Sequence, residues 1–412
     1  MVKTVAEINK KIRDGTAAVL TAEEFKKKVR DGERLSPDDI DVVTCGTCGV
    51  MSGTMAILTV PVAEPGAFRR AESITLNGVP AFPGPCPNEG LGLVDLVVYG
   101  TSHASRSYGG GNLFRDIASA EKEIEVYTEA GGKTFECTVY GDELHYARMI
   151  TSRSAFKNYS AFVNSGKDPV NTIFSVLPLS GGLTQATVSG CGEINPLQND
   201  PDTRFLRSGA GVLLNGAEGL ILGTGTRSSS EKPNLSVSAG MAGMNPEFMG
   251  GFKTSAGPEC ITSIAAAIPV IDNECIARLS VLDEEILLPI VDVFDRRTLG
   301  FSDYGRIWQS AGRHITVDPT KCLLCGECPA QENCPADAIM PGGGILTSRC
   351  LSCGACLSTC IGEVYSMDTG SIALNGKEIP VVLRQSGRRK GEQICSNLKE
   401  KIESGKFTLG GV

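Results

Sequence analysis

Histidine is nearly absent from this chain: His103, His145 and His314 are the only three in 412 residues. A histidine-rich metal site is therefore excluded, and histidine acid–base chemistry has few candidates. Long apolar runs are absent too. The longest, "ITSIAAAIPVI" at Ile261–Ile271, is too short to span a bilayer and contains Pro269. Positive charge is not in excess: the net charge is −8, which leaves no general nucleic-acid footprint. The opening "MVKTVAEINKKIRDG" has the pattern of an amphipathic helix rather than of a signal peptide. A cytoplasmic protein is expected, without membrane or nucleic-acid partners.

Cysteine and glycine are abundant, at 16 and 49 residues. In a reducing compartment so many cysteines point to metal-binding or catalytic thiols rather than to a disulfide framework. Residues 1–40 read as two polar helices, each ending at a glycine. Apolar runs at "DIDVV", "GLVDLVVYGT", "GVLLNG" and "GLILGTG" read as strands. Mixed with helices, they predict a large α/β body over residues 1–312. Residues 313–368 are dense in cysteine. Residues 369–412 predict a hairpin turning on Asn375-Gly376, then a helix.

The cysteine-dense segment is an internal repeat. "CLLCGECPAQENCP" starts at Cys322 and "CLSCGACLSTCIG" at Cys350. Cys322, Cys325 and Cys328 map onto Cys350, Cys353 and Cys356 at a constant offset of 28, and Cys334 onto Cys360 at 26. This is the double motif of bacterial-type ferredoxins, in which the fourth cysteine of each run ligates the other of two [4Fe–4S] clusters. The expected sets are Cys322, Cys325, Cys328 and Cys360, and Cys350, Cys353, Cys356 and Cys334. The spacer before Cys334 is longer than usual, and no proline follows Cys360; neither removes a ligand. Two Cys₄ zinc sites are the competing assignment, but zinc knuckles rarely repeat as triple C-x-x-C-x-x-C runs. Such a module passes single electrons, so an external electron donor is expected.

Eight cysteines remain. Cys260, Cys275 and Cys395 lie in apolar or helical patterns and read as packed side chains. Cys45 and Cys48, in "TCGTCG", follow a strand at a predicted glycine turn. A helix starting at "VMSGTMAIL" would lower their pKa. Cys86 lies in the proline-fixed "PGPCPNEG", Cys191 between glycines in "SGCGEINP", and Cys137 in the strand-like "FECTVY". Gly109, Gly110 and Gly111 precede a helix carrying Arg115. Their amides and the guanidinium suggest a seat for an anion. Arg106, Arg153, Lys157, Arg227 and Lys253 are further anion-binding candidates. His103 and Asp116 are candidate proton carriers.

Several stretches together resemble a known family: "DVVTCGTCGVMSG", "NGVPAFPGPCPNEGLGLVDLVVYGT", "YGGGNLFRD", "KNYSAFVN", "SGCGEINPLQNDP", "LLNGAEGLILGTGTRSS" and "AAAIPVIDNE". They are similar to the archaeal homocysteine-biosynthesis, sulfur-incorporation family over roughly residues 1–312. The fused two-cluster segment, "GTCGVMSGT" and "GPCPNE" look closest to its methanogenesis marker 16 branch. That resemblance implies coenzyme M biosynthesis, the conversion of sulfoacetaldehyde to 2-mercaptoethanesulfonate. The sister branch makes homocysteine from aspartate semialdehyde. Its reactive cysteine falls at Ser52 here, and it has another in the region of Cys137.

The expected activity is thus reductive sulfur transfer from a sulfide or persulfide donor to a small aldehyde. Cys48 is the expected sulfur carrier, with Cys45, Cys137, Cys86 or Cys191 resolving the bond. Gly109–Gly111, Arg115 and His103 would serve the substrate. Aspartate semialdehyde as substrate is one alternative; an electron-transfer or activation protein without its own substrate is another. A third metal site among the body cysteines and a homo-oligomer stay open.

Overall fold

The computed structural model describes residues 3–84, 86–153, 157–308 and 314–410. The two N-terminal helices form as the sequence predicts. Thr4 caps Val5–Arg13 and Thr21 caps Ala22–Arg30, each in a capping box with a glutamate three residues on. Beyond them the body is richer in sheet than an alternating α/β pattern suggests. A 14-stranded sheet carries most of it, and a six-stranded sheet the rest. Most neighbouring strands are antiparallel, and many come from distant parts of the chain.

The Gly257–Pro269 strand is the spine. It is buried along nearly its whole length and pairs antiparallel with Val42–Val50, from Pro269 opposite Val42 to Ile261 opposite Val50. "TCGTCG" is therefore continuous strand, not a turn. "TMAILTVP" is likewise strand, Thr54–Pro61, so no helix starts within this stretch. Gly46 and Gly49 are needed for close approach rather than for bending. A Cβ on Gly46 would stand 2.5 Å from Gly391 O and 2.7 Å from Cys395 Sγ; one on Gly49 would stand 3.0 Å from Gln385 O.

Those contacts come from the C-terminal residues, which complete the body instead of hanging from it. The hairpin Ser371–Leu374 and Lys377–Arg384 turns on Asn375 and Gly376, both at positive φ, as predicted. Its second strand joins Ala186–Val188 in the six-stranded sheet. Helix Arg388–Glu403 then packs on Val42–Val50 and Gly257–Pro269. The cysteine repeat is thus inserted between two parts of one body. The expected boundary at 312/313 lies outside the described residues.

Helix Arg388–Glu403 is pinned at its first residue. The buried Arg388 guanidinium binds the Asp283 carboxylate, Glu193 Oε1 at 2.8 Å and Glu392 Oε1 at 3.3 Å. Arg30 takes the other Glu193 oxygen at 2.6 Å. These bonds hold the Glu193 carboxyl down at about 2 against the opposing effect of its burial.

Candidate functional site

The end of the Val42–Val50 strand has a cavity on one side and a buried thiol on the other. The cavity measures about 820 Å³. Its walls come from five separate stretches singled out above: Thr47, Gly49 and Met51–Ser52 from "TCGTCGVMSG"; Asn158 and Tyr159 from "KNYSAFVN"; Ser189, Gly190 and Asn195 from "SGCGEINP"; Arg227 from "GTGTRSS"; and Arg153. Arg296, Phe174, Gln385 and Ser386 close it.

Three guanidinium groups, on Arg153, Arg227 and Arg296, line this cavity, and among the described residues no aspartate or glutamate does. Arg296 is held by stacking, 4.1 Å from the Phe174 ring centre. Its pKa is lowered by burial, and neighbouring Arg227 lowers it further. Asn158, Gly190, Arg227 and Arg296 all sit at positive φ. Such strain in non-glycine residues persists where surrounding packing enforces it, often at ligand sites. Behind Ser52 lies Glu259, 4% exposed and hydrogen-bonded to the serine. Its Oε2 has no partner among the described residues, and burial raises its pKa. A neutral carboxyl can donate a proton through Ser52.

Two thiols flank the strand. Cys191 donates to the Cys48 carbonyl at 3.5 Å and is bonded to the Thr47 side chain, so it stands on the arginine-cavity side. The Cys48 side chain projects from the other face and packs with Ile261, Leu351 and Cys353. Lys390 faces it electrostatically, but burial pushes its thiol up to about 12. The expected depression by helix amides is therefore outweighed: the amide of Gly387, N-cap of helix Arg388–Glu403, does favour the Cys48 thiolate, but desolvation dominates. Cys45, at odd spacing from Cys48, points to the opposite face and into the main core. Burial raises it likewise to about 12. The two cannot act as a vicinal pair.

Other predicted residues fall elsewhere. Cys86 lies beside Asp95, and Cys137 faces Pro61 O at 3.5 Å; both belong to the far end of the large sheet. His103 is exposed. Gly109–Gly111 do not cradle an anion. A Cβ on Gly110 would stand 2.1 Å from Tyr99 O, and one on Gly111 2.5 Å from Gly250 O. These glycines let helix Gly110–Ser119 lie flat on the sheet, which brings Arg115 close to Cys48 at a second, smaller cavity with Arg349. Arg296, Arg349, Lys390 and Glu259 were not singled out by sequence. None sits in a distinctive motif, and each reaches its site from a distant strand, loop or helix.

The cysteine repeat fits two four-iron clusters with crossed ligands. Cys334 lies within electrostatic reach of Cys350, Cys353 and Cys356, while the Tyr365 side chain faces Cys322, Cys328 and Cys360 together with Cys356. The backbone repeats with the cysteines. Leu324 and Ser352 are left-handed at the offset of 28, Asp337 and Glu363 at the offset of 26. Amides of Ala338 and Ser352 point at Cys334 Sγ and Cys350 Sγ, at 3.2 and 3.4 Å. Among the described residues no three His, Cys, Asp or Glu side chains are grouped to hold a single metal ion.

Fold and site together present a cavity lined by three arginines beside buried thiols. The chain belongs to the family described as homocysteine biosynthesis enzyme, sulfur-incorporation, which matches residues 17–409. It is 45% identical over 410 residues to an uncharacterized protein of Methanothermobacter thermautotrophicus, covering 98% of this chain and 94% of that one. It is 31% identical to the L-aspartate semialdehyde sulfurtransferases of Methanosarcina acetivorans and Methanocaldococcus jannaschii. Those two matches cover 70% and 72% of this chain, and 58% and 60% of the relatives. No solved structure matches it.

Proposed function

We propose that this protein carries out reductive sulfur transfer to a small anionic aldehyde bound in the three-arginine cavity, giving a thiol. The observation that carries the reading is the meeting of the family's scattered motifs at a cationic cavity backed by Cys191 and Cys48. From sulfide, the net change is aldehyde plus hydrogen sulfide plus two electrons and two protons, giving thiol plus water. If the sulfur is held first as a persulfide, its use consumes two further electrons.

The arginines hold the acid group, and Ser52 with Glu259 protonates the aldehyde oxygen, which makes the carbon electrophilic. Cys48 takes up the sulfur, and Cys191, within electrostatic reach on the substrate side, receives the outer sulfur by thiol–persulfide exchange that releases Cys48 as a thiol. Cys322, Cys325, Cys328 and Cys360 would hold one [4Fe–4S] cluster, and Cys350, Cys353, Cys356 and Cys334 the other. When bound, such clusters supply single electrons.

Sulfoacetaldehyde, giving coenzyme M, fits the cavity's charge: it carries a sulfonate and no ammonium. Aspartate semialdehyde adds an ammonium, for which no carboxylate lines the cavity among the described residues. The names of the two sulfurtransferase relatives favour aspartate semialdehyde as the second reading. Side-by-side assays of both aldehydes, with sulfide and a strong reductant, test the proposal. Turnover of neither, together with a stable complex with another protein, would favour an electron-transfer role instead. Iron analysis should find about eight iron atoms per chain.

Two substitutions follow. Arg296→Gln should raise KM for the aldehyde about tenfold or more while leaving kcat near its original value, since a ground-state anchor is lost. Glu259→Gln should lower kcat about 100-fold. In the parent protein activity should fall as pH rises through the elevated Glu259 pKa and the acid form is lost; the glutamine variant should lack that limb. An unchanged pH profile would remove Glu259 from proton delivery.

A further inference from the structure

We propose that sulfur reaches Cys48 by its own channel, as a small inorganic sulfur anion, on the face of the Val42–Val50 strand opposite the three-arginine cavity. This rests on the reading that the chain transfers sulfur. An inner chamber of about 290 Å³ has Cys48 in its wall, with Arg115, Arg349, Met249, Ile261 and Leu351 around it. An outer chamber of about 510 Å³ shares Arg115, Glu247 and Arg349 with the inner one and adds Lys122. The two adjoin at these shared residues, with the more open one outermost.

The charges along this path favour an anion. Arg115 and Arg349 stand close enough that, with burial, each other's charge counts: burial and then Arg349 lower the Arg115 pKa. Lys390 faces Cys48 itself. The nearby carboxylates are engaged. Asp337 pairs with Lys253 at 2.5 Å, Glu247 lies 3.9 Å from Lys390, and Asp116 lies 3.9 Å from Arg115. Two facing guanidiniums in a partly buried site repel unless an anion lies between them.

Size and lining select the anion. The inner chamber is far narrower than the arginine cavity, and Met249, Ile261 and Leu351 make much of its wall apolar. That suits a short polysulfide such as hydrodisulfide, which is compact and weakly hydrated, better than an organic acid. With hydrodisulfide, HSS⁻, the Cys48 sulfur attacks the terminal sulfur and the ion's S–S bond breaks. A persulfide S–S bond forms on Cys48. The expelled sulfur leaves with the thiol proton as hydrosulfide, and no outside electrons are consumed. The carbon substrate and the sulfur source thus arrive on opposite faces of one strand, which keeps them from reacting free in solution.

The test is brief exposure of the holoprotein to inorganic polysulfide, followed by peptide mass spectrometry. Persulfide is expected at Cys48. Arg115→Gln, which removes charge outside the cysteine repeat, should lower it several-fold, and Met249→Trp, which fills the inner chamber, should do so too. Arg296→Gln, on the other face, should load like the parent. No persulfide at Cys48 in the parent, or equal loading in the parent and both channel variants, overturns the proposal. Loading is read without aldehyde, so failure of both aldehyde assays would overturn the enzymatic reading and leave this measurement standing on its own.

Discussion

Replacing Cys48 with serine is expected to lower polysulfide- and reductant-dependent thiol formation by more than about 100-fold, with iron content unchanged. Serine is nearly isosteric and Cys48 is 1% exposed beside Ser263, so the strand register should survive. A hydroxyl cannot hold a sulfane sulfur, and among the described residues that line the inner chamber Cys48 is the one cysteine. Cys45→Ser is the matching control. Its side chain points into the opposite core, so turnover should persist at some expense in stability. Unchanged turnover in Cys48→Ser would remove Cys48 from the mechanism and shift attention to Cys191.

The second large effect concerns folding. Arg388→Met should destabilise the protein by about 3–5 kcal/mol, because it leaves Asp283 and Glu193 buried with one cation fewer. Both carboxylates and Arg388 are 1% exposed, so solvent cannot substitute for the lost partner. The measurement is the urea midpoint of the apoprotein and holoprotein, compared with the parent. The Lys399→Met change at the exposed end of the same helix, whose partner Glu24 is partly solvated, should cost no more than about 1 kcal/mol. Equal midpoints for Arg388→Met and the parent would show that the helix is held by its apolar face alone.

Local signals carried much of the reading. Capping boxes at Thr4 and Thr21, the Asn375-Gly376 turn, and the offsets of 28 and 26 in the cysteine repeat are all set by neighbours a few residues apart. They act before tertiary structure forms, so the sequence shows them directly. Arg153 and Arg227 could be singled out, along with Lys157 and Lys253, as anion-binding candidates because a residue's charge is visible in a linear chain. Arg296 and Glu259 could not, since their role comes from stacking on Phe174 and from contact with Ser52.

The "TCGTCG" stretch divides the two kinds of information most sharply. By itself it specified thiols flanked by residues without bulk, and family resemblance pointed to sulfur handling in that neighbourhood. Glycine read locally means a turn. Here it means room for Gly391, Cys395 and Gln385, which arrive from about 340 residues away in sequence. Only that packing made the stretch a strand. The strand's alternation of sides then sent Cys45 into the core and Cys48 toward the cysteine repeat. Burial raised both thiols, and at Cys48 it outweighed the amide at the start of the C-terminal helix. Residue chemistry was legible in the chain; which face each thiol occupies, and what it meets there, was decided by contacts that close only when the C-terminal helix docks.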